Sequence, residues 1–250
     1  MNITFDNISL NTAPYLLAEL DHEKSSSRDV YMYDLTRERG SIFVGENYKP
    51  KEFIITGRIT GANKATLETN IDAFKELMSR AMKNLDLEYS TGTRRYVAVA
   101  SMIDINRKFF HLSFAPFTVT LVAPSGVGED ITQTVLTQAG ITTATYNGTA
   151  HIDGSAYPKP TIKMTVKAAS AMTAISFQNN GDKVVLTNAL VLNDVVIFDC
   201  ANKKVTLNGA EKDYTGIFPE FIIGDNAYQL AVTRTTGTID LEISYAKKYL

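Results

Sequence analysis

Apolar and polar residues alternate along ITFDNISL, with Ile3, Phe5 and Ile8 apolar, which predicts a half-buried strand over residues 3–10. Tyr15 to Leu20 and Val30 to Leu35 read as two more strands, separated by the polar loop tip HEKSSSR at residues 22–28, and Arg37 to Gly40 reads as a turn. Phe53 to Ile59, FIITGRI, is a strand bounded by Pro50 and Gly61. The period then changes. From about Asn63 to Lys83, Leu67, Ile71, Phe74, Met78 and Ala81 recur at steps of three and four, with Leu77 and Met82 widening the stripe. This is an amphipathic helix, fit to lie on a sheet or to enter a partner's groove. Asn63 is placed to cap it, and Glu68, Asp72 and Glu76 precede or interleave with Lys75, Arg80 and Lys83 in the order a helix dipole favours.

Strand patterns resume at Leu85–Tyr89, Tyr96–Ile105 and Phe109–Val122, the last broken by Pro116. Ala123 to Asp130, APSGVGED, carries proline, glycines and serine with few apolar anchors, and it predicts a linker over 123–130. That gives a first domain over 1–122 and a second over 131–250. Beyond the linker no helical period survives. Short β runs from Val135 to Tyr245 are punctuated at Asn147-Gly148, Asp153-Gly154, Asn179-Asn180-Gly181, Asn193-Asp194, Asn208-Gly209 and Gly224-Asp225-Asn226. That spacing predicts a β-sandwich or jelly roll. The fold class is mainly β, with one amphipathic helix in the first domain.

Composition narrows the functions. A net charge of −2 and a pI near 6.0 give no long-range attraction to nucleic acid or an anionic membrane. The first residues lack a basic start and an apolar run of signal-peptide length, and no stretch approaches the roughly 20 apolar residues of a membrane helix. Synthesis and folding in a cytoplasm is the expectation. Cys200, the single cysteine, reads as an apolar filler at a strand end, and the sequons at Asn2 and Asn147 read as coincidences.

Candidate chemistry is thin. His22, His111 and His151 stand far apart and none shows metal-ligand spacing, so no metal is expected. Glu129-Asp130, Asp199, Asp213, Glu220 and Asp240 offer carboxylate pairs of the kind glycosidases use, but most adjoin turns, where such residues bond the backbone. Ser155 has no nucleophile elbow, and Gly126-Val127-Gly128 lacks the rest of a phosphate loop. Arg94, Arg95, Arg107 and Lys108 interleave with Tyr96, Phe109 and Phe110, as in single-strand binders, or simply as solvated strand ends. Without tryptophan, Tyr214, Phe218, Phe221 and Tyr228 are the candidates for a sugar groove or an interface, or else for core and loop anchors. No catalytic residue and no cofactor are expected.

The run IFDCANKKVTLNG, then GIFPEF and Gly-Asp-Asn, resembles the C-terminal domain of siphophage distal tail proteins, through Asp199, Asn208, Gly209, Phe218, Pro219, Gly224 and Asn226. FIITGRITGANKATLETNIDAFKELM is similar to that family's strand-turn-helix segment. The resemblance implies a ring-forming N-terminal domain, usually hexameric, and a galectin-like β-sandwich in the second domain. It also implies a place in the virion at the tail tip, with a tail tube protein above and a tail-associated lysin or fibre protein below. DNA would pass through the central channel without specific binding, and no membrane partner and no enzyme activity are implied. A host cell-wall carbohydrate is the alternative ligand. The chain matches a minimal member, without the insertion that sugar-binding members carry.

Overall fold

The computed structural model describes residues 2–21, 27–34, 41–108, 112–170 and 172–250. Its elements, in chain order, are β1 Ile3–Phe5, β2 Ile8–Ser9, β3 Tyr15–Asp21, β4 Arg28–Asp34, β5 Ser41–Tyr48, β6 Lys51–Thr60, α1 Lys64–Ser79, β7 Lys83–Tyr89, β8 Gly92–Ile105 and β9 Phe114–Ala123. There follow β10 Gly128–Ile141, β11 Thr145–Ile152, β12 Thr161–Ser170, β13 Met172–Asn179, β14 Asp182–Leu190, β15 Val195–Asp199, β16 Lys204–Leu207, β17 Ala210–Glu211, β18 Thr215–Gly216, β19 Gly224–Thr233 and β20 Thr236–Tyr249. The chain divides into two compact units, residues 1–131 and 132–249.

In the first unit, β3, β6, β9 and β8 hydrogen-bond in that order, all antiparallel, and β8 continues through β7 to the small hairpin β1–β2. Helix α1 lies on β6, β8 and β9 and buries Leu67, Ile71, Phe74, Leu77 and Met78. Phe74 is the centre of this core, with its ring 5.1 Å from Tyr15 and 4.5 Å from Phe117. Asn63 caps the helix as expected, its Oδ1 accepting from the Thr66 amide at 2.9 Å. Gly61 is required at the entry, because a Cβ there would stand 2.4 Å from the Leu67 nitrogen.

The helix is shorter than its apolar stripe. It stops at Ser79, where Arg80 turns to extended backbone, so Ala81 and Met82 fall outside it and Met82 is exposed. No acid occupies its first turn and no base its last, contrary to the dipole expectation. Arg80 is held instead by a 2.7 Å ion pair to Asp6 in the β1–β2 turn. That turn is a second correction. Residues 3–10 form two strands, because Asp6 and Asn7 take φ values of 49° and 64° and reverse the chain.

Strand β5 has no counterpart in the sequence reading. It pairs only with β4, and among the described residues this two-stranded sheet has no further strand neighbour. The expected turn at residues 37–40 and Leu35 lie outside the described residues.

Segment 123–130 holds a turn at residues 124–125 and Gly126, then the start of β10, whose Glu129 and Asp130 pair with Arg95 and Arg94 of β8. The second unit is a two-sheet antiparallel sandwich. One sheet runs β10, β20, β12, β15, β16, β17, and the other β11, β19, β13, β14, β18. Alternate residues of both sheets meet in one core, among them Met164, Ile243 and Phe198 from the first and Phe177, Leu186 and Leu230 from the second. Asn180, Asn193 and Asn208 supply the positive φ their turns require. Two expected turns belong to strands. Asn147-Gly148 lies inside β11, paired with Gln229 and Tyr228, and Gly224-Asp225-Asn226 opens β19.

Candidate assembly and binding surfaces

Hairpin β4–β5 puts apolar side chains on both of its faces. The cross-strand register places Val30, Met32 and Phe43 on one side and Tyr31, Tyr33 and Ile42 on the other, with a bulge at Tyr31/Met32 that brings in Val44. All seven are exposed, Tyr33 at 64% and Val44 at 67%. An isolated two-stranded hairpin is marginal in water, and polar ties among its described residues include Ser41 to Asp34 at 2.7 Å, Lys49 to Asp29 at 2.8 Å, and Arg28 over the Tyr48 ring at 5.2 Å. An apolar surface of this kind is suited to burial against protein.

The sheet β3-β6-β9-β8 carries α1 on one face. Its other face presents the cross-strand row Glu19, Thr56, Thr118 and Asp104, beside the row Asp21, Ile54, Thr120 and Met102. That face thus carries three acids and three threonines beside Ile54 and Met102, with Arg58 in the next row between Leu16 and Pro116.

In the second unit, Asp199, Asn208 and Asn226 each do structural work. Asp199 closes the β15–β16 turn, accepting from the amides of Ala201 at 2.9 Å and Asn202 at 3.0 Å. Burial opposes its ionisation, but the donors from Asn202 and Ala201, with Lys204, hold its carboxyl below the usual range. Asn208 accepts from the Val195 amide at 2.9 Å and donates to Asp194 at 2.7 Å, tying the Asn-Gly corner to the start of β15. Asn226 is fully buried. Its Oδ1 accepts from the Ile222 amide at 2.9 Å and from Asn179 Nδ2 at 3.3 Å, and its Nδ2 donates to the carbonyls of Ile222 at 2.7 Å and Gly224 at 3.0 Å. Asn179 Nδ2 also reaches the Glu220 carbonyl at 2.7 Å. This amide knot pins the Phe218–Ile223 loop on the sandwich, with Phe218, Pro219 and Phe221 buried beneath it.

Three of the four candidate aromatics thus belong to the core. Phe221 stacks on Phe177 at 6.3 Å, Tyr228 stacks on the same ring at 5.3 Å, and Phe218 is buried under Tyr214 in an edge-on contact of 4.9 Å. Burial first, then Tyr146, pushes the Tyr228 hydroxyl up to about 12. Tyr214 is the exposed member, its hydroxyl donating to the Lys203 carbonyl at 3.2 Å. Gly148 is glycine because Tyr228 needs its space: a Cβ there would lie 2.4 Å from the Tyr228 ring.

The remaining candidates are dispersed. Arg95 makes a bidentate pair with Asp86 at 2.7 and 2.8 Å, Arg94 covers the Tyr89 ring at 4.1 Å, Arg107 reaches Glu68 at 3.1 Å, and Tyr96 is buried. Phe109, Phe110, His22 and His111 lie outside the described residues. Cys200 is buried, and that burial, with Asp199 and Glu220 nearby, pushes its thiol up to about 12, far from a reactive thiolate. Asp240 accepts from the Gly140 amide at 2.8 Å. Among the described residues no group of three His, Cys, Asp or Glu is arranged to hold a metal.

His151 stands on the outer face of β11, its Nδ1 2.6 Å from Asp225 and its Nε2 3.5 Å from Asp153. The hydrogen bond and charge of Asp225 raise its pKa above the ordinary 6.5. A raised folded value means that this pair favours the folded state fully below pH 6.5 and ceases to do so as pH rises through the folded value. NMR titration of the ring should show the raised value, and Asp225→Asn should bring it down. An unchanged value in that variant would show that Asp225 is not its cause.

Four comparisons bear on this architecture. Residues 153–249 match the family model described as siphovirus-type tail component, C-terminal domain. The crystal structure of the SPP1 Dit protein, described as a paradigm of the hub adsorption apparatus in phages infecting Gram-positive bacteria, superposes with a TM-score of 0.70 at 13% identity, covering 100% of this chain and 99% of that one. At that identity the likeness is one of fold. Two structures of the phage P2 baseplate in its activated conformation, with calcium and with strontium, align at TM-scores of 0.41 and 0.39, each 8% identical and covering 96% of both chains. No curated protein sequence matches.

Proposed function

From the premise that this chain is Dit-like, with a siphovirus-type tail component domain at residues 153–249, we propose that it is a structural hub of a phage tail tip, built into the virion as a closed ring. The observation that carries this reading is hairpin β4–β5, apolar on both faces and exposed on both. A lone subunit gains nothing from such an arm; a ring of identical subunits buries it at every boundary, since one patch and its complement recur around the circle. The first unit, taken as residues 1–122 with a linker at 123–130, is the ring-forming part, and a hexamer is the expected closure. The second unit is the galectin-like module.

The face of β3-β6-β9-β8 that carries Glu19, Asp21 and Asp104 against the cation Arg58 suits the wall of the central channel. Carboxylates there repel the phosphates of passing DNA, so the duplex slides without adhering. The ring's two rims would meet the tail tube protein and the tail-associated lysin or fibre protein. None of these roles needs a bond to be made or broken, and the protein is read as a non-enzyme.

Gold-labelled antibody against the purified protein, applied to intact particles, tests the placement. Gold at the far end of the tail is the expected result; gold on the head or along the tube would reject it. A second reading, attachment to host-surface carbohydrate by the second unit, is favoured by one observation, a polar hollow on the outer face of its β11-containing sheet.

A further inference from the structure

On the outer face of the sheet β11-β19-β13-β14, three amides line up across three strands. Asn147 pairs with Gln229, and Gln229 pairs with Gln178, so their side chains stand side by side. They line a hollow of about 700 Å³ with Thr149, Asn180 and Ala227. A smaller hollow of about 300 Å³, floored by Ala174, Ser176 and Ala231, lies on the same strands. The floor is hollowed because the outward positions of β19 on either side of Gln229, Ala227 and Ala231, and the outward positions Ala174 and Ser176 of β13 are small.

We propose that this amide row binds a neutral oligosaccharide, which deepens the second reading above and rests on it. The chemistry of the lining selects the ligand. Asn147 Oδ1 accepts from Gln229 Nε2 at 3.0 Å, which orients both amides and leaves an Asn147 donor and a Gln229 acceptor adjacent. A vicinal diol offers the complementary pair, because each hydroxyl donates and accepts. The lining of the larger hollow includes no charged side chain, so it offers a phosphate or acidic sugar no cation of its own; Lys183 of β14, opposite Gln178 in the same row, lines the smaller hollow instead. The larger hollow's lining holds no large aliphatic side chain, and its one aromatic, Tyr228, is buried, which disfavours a lipid or an apolar peptide anchor. The volume lies in the range of small-ligand sites and leaves room for several sugar rings. Charge flanks the row on both sides, with the pair His151 and Asp225 toward one end of the face and Lys183 opposite Gln178 on β14.

The test is a printed array of neutral hexose and N-acetylhexosamine oligosaccharides, probed with the full chain and with two variants. N147A/Q178A/Q229A removes the row, and Ala227→Tyr fills the hollow without touching the amides. Both change outward positions, and an unaltered thermal melt verifies that each variant folds. The wild-type protein should bind at least one neutral series, and each variant should lose about ten-fold or more of that signal, the triple variant through two or more lost hydrogen bonds and Ala227→Tyr by occupying the hollow. No signal on any neutral series, signal confined to charged glycans, or signal equal in the variants would each overturn the assignment. Ring formation is read separately by particle size, so loss of the sugar site and loss of the hub reading are distinguishable.

Discussion

Replacing Tyr33 and Phe43 together by aspartate should leave the protein folded and convert it from a ring to a monomer. The two residues lie on opposite faces of hairpin β4–β5, at 64% and 59% exposure. Within one subunit their rings are largely in water, so the double change costs the isolated fold little. Across a subunit boundary the same positions would place two carboxylates in a desolvated contact, at a cost of several kcal/mol for each buried unpaired charge. Summed over every boundary of a closed ring, that is enough to abolish assembly at working concentrations. Sedimentation velocity should show a single species near the 27.5 kDa chain mass for the variant and a multiple of it for the wild type. A variant that sediments as the wild type does would remove the hairpin from the interface.

The second large effect belongs to Asn226. Asn226→Ala leaves the Ile222 amide, the carbonyls of Ile222 and Gly224 and one Asn179 donor without this partner in a buried site. With about 1–3 kcal/mol for each buried group left unmatched, and water recovering some of them, the second unit should lose about 3–5 kcal/mol. Hydrogen exchange should accelerate in the Phe218–Ile223 loop and in the start of β19, with the melting temperature down by about 10–20 °C. Asn226→Asp keeps the acceptor for Ile222 and loses both donors, so it should fall in between. Wild-type exchange in the alanine variant would mean that the loop is held by Phe218 and Phe221 alone.

How far these features can be read from the chain depends on whether the signal is local. Helix α1 was legible because its stripe of Leu67, Ile71, Phe74 and Met78 meets one continuous core, and Asn63 caps it through its own side chain. Its end was not, because Ala81 and Met82 continue the period after Arg80 has been drawn off to Asp6, a residue 74 positions away. Asn-Gly was a true turn at Asn208 and a false one at Asn147. The dipeptide is the same, but Gly148 answers to the ring of Tyr228 on the neighbouring strand. Strand β5 escaped notice because its apolar residues face solvent on both sides, so no inward and outward alternation marks it.

The surfaces follow the same rule. Tyr214, Phe218, Phe221 and Tyr228 could be named from sequence as one aromatic group, but only the fold shows that three of them are core. The residues that sequence reasoning passed over are the amides. Asn147 and Gln229 meet across 82 positions, and no local pattern announces such a pair. The Phe-Pro loop and the Gly-Asp-Asn corner were legible as spelling; what joins them, the buried knot around Asn226, was not.

Negative-stain microscopy of the purified protein puts the central claim to its most direct test. A ring with a central hole, built from several copies of this chain, is the predicted image. Single particles of one subunit's size, persisting at high protein concentration with hairpin β4–β5 intact, would contradict it.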